Sequence, residues 1–430
     1  MKIAWFKKVI SPEIGAYLAG YGLNDKSVAK RDDLYMTGLC ADDGDRKVLI
    51  VSFDLLGLDE WYTRSIREKC AAILGTSVEA VLFSCTHTHT GPECRVIPGK
   101  PEQLHRTYLE NLEKWIIEEV SALSDYYECD VYFYSSKCDE NRNRRYVTAC
   151  NQATFTPHRR EVVPIATEYA DKELGEVIFI DKNTHQPLYV IGNYAAHPLG
   201  GHAPGLGGLT ISADFPGVFR EYVTAETGAE CMFISGAAGN LVPKEDEIGS
   251  GAIKQMGGNL AKAAIGGMID APRNPGRFGM PEAKVGARSE FVSVPLRKIK
   301  LQRPPEFYAG KTALDLEMQV VSIGDICFVG VPGELCCELG QEIKWNSPFR
   351  RTFIAYNATG YLDYIGHANM LVAGGYEGNC QWFTARCGLM LLNAAADAMF
   401  ALREELYPTP DGDIYPDCVK NTLVNIPANR

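Results

Sequence analysis

The sequence predicts an α/β fold in which mixed β-sheets are flanked by helices, with a metal site at the strand tips. Apolar stretches of strand length alternate with stretches whose apolar residues recur at helical spacing. Several strand-like stretches come in pairs joined by short turns, as in β-hairpins. Side chains that can bind a metal follow the ends of some of these apolar stretches.

The strands are predicted from apolar runs and from the turns between them. The first covers about residues 1–8, and a short buried strand covers 231–234. Three hairpins are predicted, the first of them over an Asp- and Gly-rich turn: residues 34–40 with 47–54, 174–181 with 187–194, and 316–323 with 326–331.

Helical spacing of apolar residues predicts helices over residues 60–74, 101–123, 215–227 and 383–406. The second is expected to begin at Pro101, because proline is favoured in a first helical turn. A further helix is expected from Glu334 onward. The Gly-rich stretch 200–208 is interpreted as a loop and not as a phosphate-binding cradle, since no lysine follows in the required register.

The chain of 430 residues can bury a large core. It has no internal repeat and no low-complexity linker, so we expect residues 1–407 to form a single domain. The proline-rich residues 408–430 are expected to be a tail that packs on this domain.

Composition excludes several classes of partner. The formal net charge is −11 and the pI is near 5.4, which argues against a nucleic-acid partner and gives no support to binding an anionic membrane surface. No run of about 18 apolar residues occurs, so no transmembrane segment is expected. The N-terminus lacks a signal-peptide pattern, and the 14 cysteines include no C-x-x-C pair. We therefore expect reduced, buried thiols and a cytoplasmic protein.

The segment Ser84-Cys85-Thr86-His87-Thr88-His89-Thr90-Gly91-Pro92 carries two of the eight histidines at the end of an apolar run. Residues i and i+2 of a strand point to the same face, so His87 and His89 are expected to project together. Two such imidazoles suit a metal ion, or one metal ligand beside a substrate-binding group. The alternative is a surface strand end that happens to carry two histidines.

Two further strand tips present metal-competent side chains. His197 ends the stretch 188–197, directly before a proline that stops strand pairing. A histidine that hydrogen-bonds a loop carbonyl would explain it equally well. Glu334 follows a Val-Pro-Gly turn, where it could simply stabilise a helix N-terminus. Because three predicted strand ends each carry a side chain that can bind a metal, a single metal shared between them is favoured.

Tyrosines and one arginine could complete the site. Tyr361, Tyr364 and Tyr376 lie in one short Gly-rich region, although tyrosines in such loops more often cap a core. Arg144 belongs to the basic segment 142–145, which is either a solvated loop or the source of a guanidinium for an oxyanion or a carboxylate.

These residues together resemble the catalytic domain of the neutral/alkaline (non-lysosomal) ceramidases. The matching pieces occur in the family's order: Thr86-His87-Thr88-His89-Thr90-Gly91-Pro92, Asn193-Tyr194-Ala195-Ala196-His197-Pro198, Ile211-Ser212-Ala213-Asp214, Val331-Pro332-Gly333-Glu334, and Tyr361-x-x-Tyr364-Ile365 with Tyr376-Glu377.

The resemblance implies a zinc ion and hydrolysis of an amide bond. It implies that zinc is bound by His87, His197, Glu334 and one tyrosine, for which Tyr364 is favoured over Tyr361 by its spacing to Tyr376. It also implies that the remaining three residues line the substrate side: His89, Arg144 and Tyr376. His89 is the candidate that delivers a proton to the leaving amine.

The sequence departs from the family in the segment 239–244. Asn240 and Val242 stand where the family has Asp and Ser, so a hydroxyl expected near the scissile group is missing. We also expect no immunoglobulin-like C-terminal domain. The leading hypothesis is a zinc-dependent amidohydrolase for an N-acyl substrate, whose lipid character stays open. A zinc-dependent esterase or lactonase and a non-catalytic, ligand-binding relative are the alternatives, and the sequence does not determine the oligomeric state.

Overall fold

A computed structural model describes residues 1–20, 24–97, 104–148, 153–154, 164–167, 169–200, 209–244, 250–298 and 309–408. Within these ranges the chain is mixed α/β, as the sequence predicts. The proposed tail beyond residue 408 and the Gly-rich stretch 201–208 lie outside the described residues, and so does Pro101.

The strands, in chain order, are β1 (Lys2–Val9), β2 (Ala29–Lys30), β3 (Tyr35–Asp42), β4 (Lys47–Phe53), β5 (Val81–Cys85), β6 (Tyr127–Lys137), β7 (Asn141–Asn143), β8 (Tyr146–Thr148), β9 (Ala153–Thr154), β10 (Pro164–Thr167), β11 (Glu173–Asp181), β12 (Pro187–Tyr194), β13 (Thr210–Ile211), β14 (Glu230–Ser235), β15 (Leu241–Pro243), β16 (Val285–Pro295), β17 (Ala313–Ile323), β18 (Ile326–Gly330), β19 (Glu334–Leu335), β20 (Arg351–Ala355) and β21 (Tyr364–Ile365).

The helices are α1 (Glu60–Leu74), α2 (Arg106–Ser121), α3 (Asp214–Thr227), α4 (Ser250–Arg273), α5 (Pro275–Phe278), α6 (Cys337–Trp345), α7 (Ala368–Ala373), α8 (Gly375–Cys380) and α9 (Cys387–Leu406). None of the helices in the described ranges combines the length and apolar character that a bilayer crossing needs.

Two sheets form the centre of the molecule. The larger has eight strands in the order β14-β12-β11-β6-β1-β3-β4-β5, and the smaller has four in the order β16-β17-β18-β20. Their facing sides share one apolar core, which includes Ile50 and Ile191 of the large sheet and Phe328 and Phe353 of the small one. Helices cover the outer faces, so the layers are helix, sheet, sheet and helix.

Strand β4 is largely apolar because both of its faces are buried. Leu49, Val51 and Phe53 pack under α1 and α2, whereas Val48 and Ile50 point into the core between the sheets. Successive side chains of a strand point to opposite faces, so a strand covered on both sides must be apolar throughout. The same alternation places α3 and α4 over the other half of the large sheet, and α6 and α9 over the small one.

The topology brings several strand ends to one edge. β4 runs parallel to β5, and β12 runs parallel to β14, so the carboxyl ends of each pair lie side by side. β18 and β20 of the small sheet are also parallel. Contacts between the sheets join these ends: the amide N–H of Tyr356, after β20, donates to the Ser235 carbonyl at the end of β14 at 3.0 Å. This edge carries the candidate site.

The structure confirms all three hairpins and the helix over residues 60–74. It corrects three other helices. The second begins at Arg106 and not at Pro101, the last begins at Cys387 and not at 383, and no helix begins at Glu334. Glu334 instead opens the two-residue strand β19, which pairs in parallel with β21, and the helix that follows begins at Cys337.

Candidate metal centre

Three histidine side chains converge at the shared edge of the two sheets. His87 and His89 follow β5, and His197 follows β12. The ring centroids of His87 and His89 lie 4.9 Å apart, those of His87 and His197 4.8 Å, and those of His89 and His197 5.7 Å. One nitrogen from each ring lies within 4.8 Å of the other two, a grouping that can hold a metal ion.

Main-chain carbonyls fix how each imidazole is presented. The Nδ1 atom of His87 lies 2.9 Å from the Leu56 carbonyl oxygen, and that of His89 lies 3.1 Å from the Gly20 carbonyl oxygen. The Nδ1 atom of His197 lies 2.7 Å from the Ala238 carbonyl oxygen.

A carbonyl only accepts hydrogen bonds, so Nδ1 is the donor in the His89 and His197 contacts. The Nε2 atom of His87 is buried and makes no hydrogen bond to the part of the chain that the structure describes, as expected of a metal-ligand nitrogen.

Glu334 supplies a buried carboxylate directly against two of these rings. Its Oε2 atom lies 3.1 Å from His197 Nε2 and 3.5 Å from His87 Nε2. Donor atoms that share one tetrahedral zinc at about 2.0–2.1 Å lie about 3.3 Å apart. The observed separations therefore fit a metal held between His87, His197 and Glu334.

Two tyrosines hold the Glu334 carboxylate in place. The Tyr356 hydroxyl donates to Oε2 at 3.0 Å, and the Tyr361 hydroxyl donates to Oε1 at 2.5 Å. Burial by itself raises the pKa of Glu334, but the neighbouring His87 and His197 outweigh it and hold that pKa well below its usual range. The carboxylate is thus ionised, which is the form that binds a metal.

The surroundings of His89 and His197 lower the pKa of both imidazoles and so favour their neutral form. Burial, the Arg144 charge and His87 lower the pKa of His197 to about 4, although Glu334 opposes them. Burial, with His87 and His197, lowers the pKa of His89 well below its usual value. A neutral imidazole is the form that ligates a metal.

The sequence predicts that His87 and His89 project together, and their rings do lie close together. The predicted reason, the alternation of side chains along a strand, is wrong. β5 ends at Cys85, and His87 has a left-handed backbone with φ of +70°, so the two residues are not in strand register. The left-handed turn at His87, and not the two-residue period of a strand, brings the rings together. Other non-glycine residues around the site share this unusual backbone: Asn357, Thr359 and Asp363.

Next to Glu334 lies a group of two tyrosines and one arginine: Tyr364, Tyr376 and Arg144. The Arg144 Nη2 group donates to the Tyr364 hydroxyl at 3.0 Å, and the guanidinium carbon lies 5.6 Å from both ring centroids. Burial and the Glu334 charge raise the pKa of Tyr364 well above its usual value. Tyr364 is 4% exposed and Tyr376 is 48% exposed, so Tyr376 marks the solvent side of this group.

The parallel pairing of β19 with β21 explains why Glu334 and Tyr364 are neighbours. These two residues are direct register partners, although 30 positions separate them in the chain. The structure thus brings together all seven residues singled out from the sequence: His87, His89, Arg144, His197, Glu334, Tyr364 and Tyr376. Their individual roles stay predictions.

Sequence reasoning missed the supporting residues. Tyr356 is buried and touches Glu334, and Asn357 Nδ2 lies 2.8 Å from His87 Nδ1. The adjacent positions 356 and 357, directly after the apolar strand β20, were the available signal. Tyr361 was identified only as an alternative metal ligand, whereas here its hydroxyl is bonded to Glu334.

Asn240 has a structural explanation. Its side-chain nitrogen donates to both oxygens of Glu338, at 3.0 and 2.8 Å, and its side-chain oxygen accepts from the Cys337 N–H at 2.9 Å. An aspartate here would place a second carboxylate against Glu338, so asparagine suits this chain. Val242 lies in β15, which pairs with β7.

Comparison with solved structures shows a fold match over most of this chain. The neutral ceramidase of Pseudomonas aeruginosa superposes with a TM-score of 0.76 at 16% identity, over 94% of this chain and 74% of that one. The chain shares the fold of the neutral ceramidases. A second structure, described as "Ceramidase complexed with C2", gives a TM-score of 0.75 at 16% identity, over 94% of this chain and 75% of that one.

No protein-family model matches the sequence, and no curated protein matches it significantly. The neutral ceramidase fold is therefore recognised through structure and through a few short motifs, and not through overall sequence similarity. In this fold the three imidazoles and Glu334 lie at the edge where both sheets end.

Proposed function

We propose that this protein is a zinc-dependent hydrolase that cleaves the amide bond of an N-acyl substrate. The observation that carries the proposal is the set of three imidazoles, each anchored through Nδ1 to a main-chain carbonyl, around the ionised Glu334. The neutral ceramidase fold supports an amide as the scissile bond and a ceramide-like lipid as the first substrate to test.

The donor set fits a borderline metal such as zinc, which binds imidazole nitrogens and carboxylate oxygens. His87 and His197 would hold it, with Glu334 and the Tyr364 phenol as further ligands. His89 is the competing third nitrogen. When bound, zinc polarises a carbonyl and lowers the pKa of a water molecule toward neutrality.

The surrounding residues would orient the substrate and move protons. Arg144 and Tyr376 would donate hydrogen bonds to the oxyanion that forms on the carbonyl. Their proximity supports a shared role, since the Arg144 guanidinium carbon lies 5.6 Å from the Tyr376 ring centroid. If His89 is not a ligand, its Nε2 can accept a proton from the attacking water and return it to the leaving nitrogen. Substitution separates the two roles: a ligand variant loses metal, and a proton-transfer variant keeps it.

The test compares matched N-acyl and O-acyl substrates, including a short-chain ceramide, with and without a metal chelator. We expect turnover of the N-acyl compounds that chelation abolishes and zinc restores. Faster turnover of the O-acyl compounds would assign an esterase or lactonase instead. Turnover of neither would leave a ligand-binding protein and overturn the proposal.

We further infer a small-molecule substrate in a reducing compartment such as the cytoplasm. The described cysteines form no disulfide, and 11 of these 12 are buried, which supports that compartment. The acidic net charge of −11 supports the absence of a nucleic-acid partner.

A further inference from the structure

Glu377 is a buried carboxylate beside the site to which the proposed hydrolysis gives no role. It lies in α8 directly after Tyr376 and is 1% exposed. One carboxylate oxygen accepts a hydrogen bond from Arg144 Nε at 2.7 Å, and the other accepts one from Arg145 Nη1 at 2.9 Å. Both arginines are themselves largely buried, with side chains 12% and 1% exposed.

We propose that Glu377 is a positioning residue that orients the Arg144 guanidinium toward the reacting group; this assignment rests on the proposed function. A guanidinium is planar, and its N–H groups point in fixed directions. With Nε bonded to Glu377, the Nη2 group is directed at the Tyr364 hydroxyl, 3.0 Å away, and at the Gly239 carbonyl, 2.9 Å away.

The same carboxylate also positions the helix that carries Tyr376. Arg145 Nη1 donates both to Glu377 and to the Gly374 carbonyl, at 3.1 Å, at the junction of α7 and α8. Glu377 therefore joins the segment 144–145 to this junction. The ring contacts of Arg144 with Tyr364 and Tyr376 do not define an orientation as sharply as a charged hydrogen bond does.

The first test is Glu377→Gln, which keeps the size of the side chain and removes its charge. We expect kcat and kcat/KM for the N-acyl substrate to fall together by about 10-fold to 100-fold, because an interaction that positions a transition-state donor is weakened. Zinc content is expected to stay at the wild-type level. Unchanged kcat would overturn the proposal, and so would a loss of activity that only follows a loss of zinc.

The matched control is Glu317→Gln, which weakens a buried arginine pair elsewhere. The Glu317 carboxylate pairs with Arg67 at 2.7 Å and accepts from the Ser289 hydroxyl at 2.6 Å, and neither partner belongs to the site. We expect Glu317→Gln to lower the melting temperature about as much as Glu377→Gln does, but to leave kcat unchanged. Equal losses of kcat in both variants would show a purely structural role.

A spectroscopic readout judges the assignment independently of turnover. A buried, hydrogen-bonded Arg144 Nε–H should give a protected ¹H–¹⁵N signal that Arg144→Lys removes. We expect Glu377→Gln to shift this signal and Glu317→Gln to leave it in place; an unshifted signal in Glu377→Gln would overturn the proposal. If the wild-type protein hydrolyses no N-acyl substrate, the proposed function fails and this signal still decides the Glu377 assignment.

Discussion

At the scale of single residues, the site depends on side chains that hold other side chains. Each histidine ring is fixed by a carbonyl at Nδ1, and Glu334 is fixed at both oxygens by Tyr356 and Tyr361. Arg95 lies over the Tyr361 ring, with its guanidinium carbon 4.5 Å from the ring centroid, and so limits the movement of that ring. Such outer contacts decide how well a metal ligand is oriented.

Removal of the Tyr361 hydroxyl should therefore weaken metal binding. We expect Tyr361→Phe to lower the affinity for zinc by about 10-fold to 100-fold, because Glu334 loses the hydroxyl donor at its Oε1 atom. Titration with a competing chelator measures this. Tyr62→Phe is the matched control, since that buried hydroxyl donates to the Leu109 carbonyl at 2.6 Å, away from the site. Equal affinities in Tyr361→Phe and the wild type would contradict the role given to Tyr361.

At the scale of elements, the short strand β19 decides where Glu334 lies. It pairs with β21 on one side, and the Gly239 N–H donates to the Leu335 carbonyl at 2.8 Å on the other. A Cβ atom at Gly239 would lie 2.6 Å from the Glu334 carbonyl oxygen and 2.9 Å from that of Leu335. Main-chain atoms cannot rotate away, so only glycine allows this close approach.

Gly239→Ala should thus displace β19 and damage the site. We expect it to lower zinc affinity and to cost about 1–3 kcal/mol of stability, as overpacking does. Gly258→Ala is the control, because no atom of the described residues outside the backbone of α4 itself lies within 4 Å of a Cβ built there. It should keep wild-type zinc affinity and gain about 0.5–1 kcal/mol. Chelator competition and urea unfolding measure both effects; normal zinc affinity in Gly239→Ala would contradict the account of β19.

The elements most completely predicted were those with strong local patterns. The hairpins and α1 follow from apolar periodicity and turn residues, which act over a few positions. The pairing of Glu334 with Tyr364 follows from a parallel contact between segments far apart in the chain, and no local pattern indicates it. For the same reason the hydroxyl bonds of Tyr356 and Tyr361 to Glu334 required the structure. The motifs and the basic segment 142–145 pointed to seven residues that the structure brings together, but not to the residues that hold them.

At the scale of the whole molecule, the core between the two sheets fixes the site by joining the strand ends that carry it. The large sheet also contains a buried carboxyl group that destabilises the fold when it is ionised. Glu176 in β11 is fully buried under α4, and burial raises its pKa well above the usual value. Within the described residues, neither of its carboxylate oxygens has a hydrogen-bond partner. The raised pKa favours the protonated form in the folded protein, whereas in the unfolded chain this carboxyl ionises near pH 4.3.

Glu176 should therefore make the protein less stable as pH rises. Between about pH 4.3 and its folded pKa, the folded state binds one proton more than the unfolded state at this residue, so the free energy of unfolding falls by up to about 1.4 kcal/mol per pH unit. Glu176→Gln removes this contribution, and the exposed Glu221→Gln is the control. Urea unfolding at pH 5, 6 and 7, with chelator present throughout, measures it. An identical pH dependence in Glu176→Gln and the wild type would contradict the prediction.

The central claim is that four distant side chains share one zinc ion, and anomalous diffraction at the zinc edge tests it most directly. The account predicts one strong anomalous peak per chain, about 2.0–2.2 Å from His87 Nε2, His197 Nε2 and a Glu334 oxygen, with the Tyr364 phenol also within bonding distance. No peak between these residues in crystals of zinc-loaded protein, or a peak bound elsewhere, would contradict it.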